Sequence, residues 1–245
     1  MHFFVRTVPR LLVGLLALQG PLVSAQNACS SDGASAPRVL VERFLSADCT
    51  DCWQGTRLAP GPSAAVLDWI VPTAAGDDAP LSAAARPEAL LRLQALGRQP
   101  PATSAVHVST AAARPPAGHL RVSFGPAVSG YVGADVSYLG DLPSREHGPW
   151  TVSIALVEQV GAGTEGTAVE RNLVRNLFQR TWDEGNQLLK NERTGLPRGT
   201  RWIERRAMQL APSTDPSRLA VIGWMEDRDG QVVATAVAQC LANPT

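Results

Sequence analysis

Val39-Leu40-Val41-Glu42-Arg43-Phe44-Leu45-Ser46-Ala47-Asp48-Cys49-Thr50-Asp51-Cys52-Trp53 is the stretch on which the fold turns. Val39 to Leu45 is apolar and β-branched enough to read as a strand. Ser46-Ala47-Asp48 turns the chain. A short helix is predicted from there to about Ala59, stopped by Pro60-Gly61-Pro62. Ala64 to Val71, AAVLDWIV, reads as a second buried strand. Strand, helix and strand in this order predict a parallel crossover, with both cysteines at the N-terminal end of the helix.

That position gives Cys49 and Cys52 their chemical interest. A thiolate attacks disulfides, so the attacking sulfur needs a lowered pKa. A helix N-terminus favours the anion by about 0.3–1 kcal/mol near a surface. Cys49 is then the exposed attacking thiol, and Cys52, one turn on, the resolving one. Asp48 and Asp51 oppose this, each by about 1 kcal/mol at close range in water. The thiol is therefore expected to be poorly activated and the disulfide comfortable when closed. Three uses remain open: thiol–disulfide exchange, a structural staple at the strand–helix corner, and zinc held by all four cysteines.

Outward from this corner the chain changes character. Pro87 can start a helix, and Glu88 to Leu96 carries Leu90, Leu91, Leu93 and Leu96 before Gly97 ends it. A short strand is expected near Val106, between Pro100-Pro101 and Arg114-Pro115-Pro116. Leu120 to Phe124, Tyr131 to Leu139, Trp150 to Val157 and Arg201 to Leu210 read as strands. Leu219 to Glu226 and Gln231 to Cys240 form a hairpin around Asp227-Arg228-Asp229-Gly230. Val169 to Trp182 stays ambiguous, because Leu173 and Leu177 also fit one helix face.

The N-terminus has the three parts of an export signal. Arg6 and Arg10 precede the apolar run LLVGLLAL, Leu11 to Leu18, and Val23-Ser24-Ala25 supplies the small residues of a cleavage site after Ala25. A membrane anchor would need roughly 20 apolar residues. Gln26-Asn27-Ala28 is a poor lipidation context before Cys29. The mature chain of roughly 220 residues is long enough to bury a real core. With 22 basic and 22 acidic residues the formal net charge is +0, which argues against nucleic acid or anionic lipid as partner. Cys29, Cys49, Cys52 and Cys240 are an even set in an exported chain. Cys49–Cys52 is the favoured pair, leaving Cys29–Cys240 by elimination. The long bridge could contribute up to about 5 kcal/mol, the short one far less.

Val39 to Cys52 resembles the signature V-V-E-L-F-T-S-x-G-C-x-x-C-P of a family of secreted bacterial proteins of unknown function. Ala79 to Gly97, Gly166 to Arg175 (GTAVERNLVR) and Leu219 to Ala236 resemble later stretches of that family, in order. The resemblance implies a thioredoxin-like N-terminal half and a β-rich C-terminal half. Trp53 replaces the family's proline and Asp48 its glycine. Pro101 is the nearest candidate for the cis-proline of thioredoxin-like enzymes, which implies a shortened unit. The predicted fold class is thus α/β plus β. Residues 1–25 form the signal peptide, 26–37 a tail, 38–117 the thioredoxin-like domain and 118–245 an antiparallel β domain. The expected protein is periplasmic or secreted. It acts on protein thiols or disulfides through Cys49 and Cys52, without a cofactor or metal and with no membrane span after cleavage. The alternative is a non-enzymatic cell-envelope binding or structural protein in which the pair is a staple.

Weaker signals are read against bland explanations. Gly161-Ala162-Gly163-Thr164-Glu165-Gly166 matches a dinucleotide fingerprint, yet its β-rich surroundings favour a glycine-rich turn. His107, His119 and His147 lack metal-ligand spacing. The six tryptophans are read as core, except Trp53, which beside the cysteines could wall a site for a partner peptide. Arg171, Arg175, Arg205 and Arg206 are read as exposed faces.

Overall fold

The structure is a computed structural model describing residues 29–55, 61, 63–111, 118–141, 148–211 and 213–240. The export signal, its cleavage site and His147 lie outside the described residues.

Val39 to Ser46 and Ala64 to Val71 form the strands expected of them, here β2 and β3. They pair in parallel, with Glu42 opposite Leu67 and Arg43 opposite Asp68. Between them the helix α1 spans Thr50–Gln54, and positions 56–59 of the expected helix lie outside the described residues. The second helix, α2, covers Pro87–Ala95 with proline in its first turn. β4 (Ser104–Thr110) then returns antiparallel along β2. The chain begins with a two-residue strand, β1 (Cys29–Ser30). The second half supplies β5 (His119–Val128), β6 (Tyr131–Leu139), β7 (Trp150–Val160), β8 (Arg171–Trp182), β9 (Thr200–Gln209), β10 (Leu219–Glu226) and β11 (Val232–Gln239).

These strands make two sheets, one of four strands in the order β1-β5-β6-β9 and one of seven in the order β11-β10-β7-β8-β3-β2-β4. The larger sheet overturns the expected fold class. The N-terminal strands do not form a thioredoxin-like unit beside a separate antiparallel domain. They continue the sheet that β7, β8, β10 and β11 begin, through a parallel contact of β3 with β8 at Asp68 and Leu173. The physical reason lies in the helices. With five and nine residues they are too short to cover both faces of an independent sheet. β3 instead has strands on both of its edges, and most of the buried surface is strand against strand.

The β8 segment is a strand, paired along β7, whose spacing is broken by a bulge. Leu156 and Val157 of β7 face Asn176 and Val174, so Arg175 is the extra residue. One inserted residue puts Leu173 and Leu177 four apart, which imitates a helix face.

Alternation along the central strands decides where the core sits. Val152, Ile154 and Leu156 of β7, with Leu219, Val221 and Met225 of β10, pack against Val122, Phe124, Val132 and Val136 of the smaller sheet. Their neighbours Ala155, Val157, Ala220, Ile222 and Trp224 point to the other face and meet Ala89 and Leu93 of α2. Each buried Val, Leu or Ile contributes about 1.5–3 kcal/mol. Gly223 marks a close approach of the sheets, since a Cβ there would lie 2.5 Å from Val122 Cγ1. Both expected disulfides are present. Cys29–Cys240 ties β1 of the smaller sheet to the residue after β11 of the larger one, and Cys49–Cys52 closes the corner before α1.

Candidate functional site

Cys49 immediately precedes α1 and Cys52 lies within it, both half-buried and joined. The placement after a strand agrees with the sequence reading, but the helix is much weaker than that reading needs. It has little more than one turn, and no side chain caps its start. Peptide dipoles in so short a segment sum to little, so the support for a Cys49 thiolate is small. Asp48 and Asp51 stand exposed beside the pair, and Thr73 Oγ1 donates to Asp48 Oδ1 at 3.0 Å.

The far side of α1 is held by strands distant in sequence. Arg171 of β8 donates from Nη2 to the carbonyls of Cys52 (3.1 Å), Trp53 (2.9 Å) and Gly55 (3.1 Å). These are the unpaired acceptors at a helix C-terminus, where a cation is favoured. Trp53 is 8 % exposed and donates from Nε1 to the Glu165 carbonyl at 2.7 Å. The Arg171 guanidinium sits 5.4 Å from its ring centroid. Trp53 is therefore an anchor of the turn rather than an exposed wall for a peptide.

Asp68 on β3 ties this clamp to the sheet. Its Oδ1 accepts from Arg171 Nη1 at 3.2 Å, and its Oδ2 accepts from Arg43 Nη2 at 2.5 Å and from the Asn172 backbone N–H at 2.8 Å. Arg43 Nη2 also donates to the Glu170 carbonyl at 3.1 Å. Arg43 Nε is buried with no partner in the protein. Burial pulls the Arg171 pKa below its ordinary value, although Asp68 acts in the opposite direction. Two more buried clusters lie nearby. Arg92 of α2 joins Glu42 and Glu226 at 2.7 and 2.9 Å, and Glu158 holds Arg175 and Arg218 at 2.5 and 2.6 Å. Burial works against the Arg92 charge, yet the two glutamates raise its pKa overall.

Arg171 and Arg175 are thus buried partners and not exposed faces, whereas Arg205 and Arg206 are exposed as expected. The sequence did carry a signal. Glu42, Arg43 and Asp68 interrupt strands that are otherwise apolar, and a charge there must be paired to be buried.

A cavity of about 320 Å³ opens between the cysteine turn and the β2–β4 edge. Its walls include Arg43, Leu45, Cys49, Cys52, Val106 and Arg171.

The other sequence signals fall elsewhere. The 161–166 glycine segment is the turn between β7 and β8 and is followed by a strand, so it lacks the helix a dinucleotide site requires. His107 on β4 faces Glu42 in register, 3.1 Å from Ser109 Oγ, with its pKa lowered by burial. His119 is exposed at the start of β5. The cis X–Pro bond among the described residues is Gly148–Pro149, before β7, while Val160 at that strand's other end packs beside Trp53. Among the described residues no three His, Cys, Asp or Glu side chains gather to hold a metal. No described helix is long and apolar enough to cross a membrane.

No family model, curated protein or solved structure matches this chain, so the family resemblance rests on the residues quoted for it alone.

Proposed function

We propose that this is an exported, non-enzymatic protein of the cell envelope, a binding or structural module in which Cys49–Cys52 is a staple. The observation that carries this reading is the clamp on α1. Arg171 binds two of its carbonyls and that of Gly55 just after it, and Trp53 locks to Glu165, so the turn is fixed from β8 and the β7–β8 connection. A pair that exchanges with substrates must open and re-close, and a turn held at this many points resists the movement. The five-residue helix also gives little support to a thiolate. The export-type N-terminus and the even set of four cysteines support an oxidising compartment, periplasmic or extracellular.

Thiol–disulfide exchange has one observation in its favour, since both cysteines border a cavity. Equilibration with glutathione buffers separates the readings. The staple reading expects no reactive thiol at Cys49 or Cys52 until the protein is denatured. Rapid exchange in the folded protein, lost in Cys49→Ala, overturns it.

A further inference from the structure

Around the cavity the charges do not balance. Arg43 and Arg171 are 6 % and 4 % exposed, and both pair with the single carboxylate of Asp68, which has no exposed surface. Two buried cations on one buried anion leave a formal excess of one positive charge. Arg171 offsets part of its own desolvation on the carbonyls of α1. Arg43 has less, because its Nε has no partner at all. A buried donor without an acceptor is costly, and a buried charge without a counter-charge more so. Asp51 also borders the cavity, but it is exposed to water and makes no ion pair with Arg43 or Arg171, so it does not neutralise the buried excess.

Register shows what shares the space with these groups. Directly opposed residues of antiparallel strands lie on one face. Val106 faces Arg43 and Ser104 faces Leu45, so all four line the side of the sheet turned toward α1. The Cys49–Cys52 disulfide closes the opposite wall. The space is therefore largely apolar, with a cationic end, and of a size that holds a small molecule.

We infer that this cavity binds a small organic carboxylate, its anionic head toward Arg43 and Arg171 and its apolar body against Leu45, Val106 and the disulfide. A monoanion matches the excess of one charge, and a hydrogen bond between a guanidinium and a carboxylate is strengthened by both charges. Phosphate carries more charge than the site lacks and offers nothing to the apolar walls. The inference deepens the binding reading above and rests on its closed pair, because the disulfide is one of the walls.

Calorimetric titration of the purified, oxidised protein with benzoate, benzamide and inorganic phosphate tests it. Benzoate is expected to bind at one site, with benzamide and phosphate weaker by about tenfold or more. Val106→Phe fills the cavity from the edge strand and removes no member of the ion cluster. It should abolish benzoate binding while leaving the circular dichroism spectrum and thermal midpoint near wild type. Arg43→Lys keeps a charge but moves its donors, and should weaken benzoate without abolishing it. Equal binding of benzoate and benzamide, tighter binding of phosphate, no binding of benzoate at millimolar concentration, or unchanged binding in folded Val106→Phe each overturn the inference. The glutathione titration reads the sulfurs and this one reads the arginines, so either can fail alone.

Discussion

Between the two sheets the packed residues are Val122, Val132 and Val136 against Ile154, Leu156 and Val221, an almost wholly apolar seam. Around β2 and β3 the same kind of alternating strand is interrupted by Glu42, Arg43 and Asp68, all buried and all paired. The apolar seam is non-directional, and its stability is spread over many side chains. The charged end is directional. Its members are paired with one another, and removing one strands the others. The seam thus holds the molecule together, while the charged end fixes where α1, α2 and β8 sit.

The comparison can be broken most forcefully at the clasp on the seam. Replacing Cys29 and Cys240 together by Ser opens a bridge spanning 211 positions. It is expected to cost up to about 5 kcal/mol in the loop-entropy account. Urea unfolding of the oxidised proteins measures it, and an unchanged midpoint would show that the seam needs no clasp. Asp68→Ala comes next, at about 3–5 kcal/mol, because two buried arginines lose their carboxylate. It also frees the Asn172 amide, so hydrogen exchange should accelerate along the β3–β8 junction before it does in β7 or β10. Uniform acceleration would mean that the two regions are one unit.

Gly223→Ala probes the seam itself. The added methyl meets Val122 Cγ1 at 2.5 Å, and Val122 is stiff, so about 1–3 kcal/mol of overpacking is expected. A smaller loss would show that the seam can slide apart. The finest test uses pH. Burial lifts the Glu226 pKa above its ordinary value, with Arg92 offsetting part of the rise. A carboxyl whose folded value exceeds its unfolded value near 4.5 adds stability below the unfolded value. That contribution is lost as pH rises through the folded value. Glu226→Gln keeps an acceptor for Arg92 and Trp224 and removes the titration. The stability of wild type relative to this variant should therefore fall as pH rises from about 4 to 7, read from urea midpoints.

Much of the local structure was legible. Val39–Ser46, Ala64–Val71 and the Leu219–Gln239 hairpin follow from apolar periodicity and turn residues, and Pro87 and Gly97 bracket α2 as their backbone chemistry requires. Periodicity misleads at the β8 bulge, where the inserted Arg175 makes a strand look helical. The cysteines were legible as a pair, and the arginines that hold and border it were not. Arg171 and Arg175 read as solvated because long basic side chains are exposed by default. Only the acids buried opposite them reverse that expectation.

Sequence by itself determined most of the strands, the start of each helix, the turn that carries Cys49 and Cys52, and an even set of cysteines able to close in pairs. Tertiary structure decided that β3 would join β8, that Arg92 would meet Glu226 across 134 positions, and that Arg171 would grip α1 at Trp53 across 118. The physical reason is range. Periodicity and turn chemistry act between near neighbours and are written in adjacent residues. The partner of a sheet edge or a buried charge is set by whichever distant group the packed chain brings within hydrogen-bond reach.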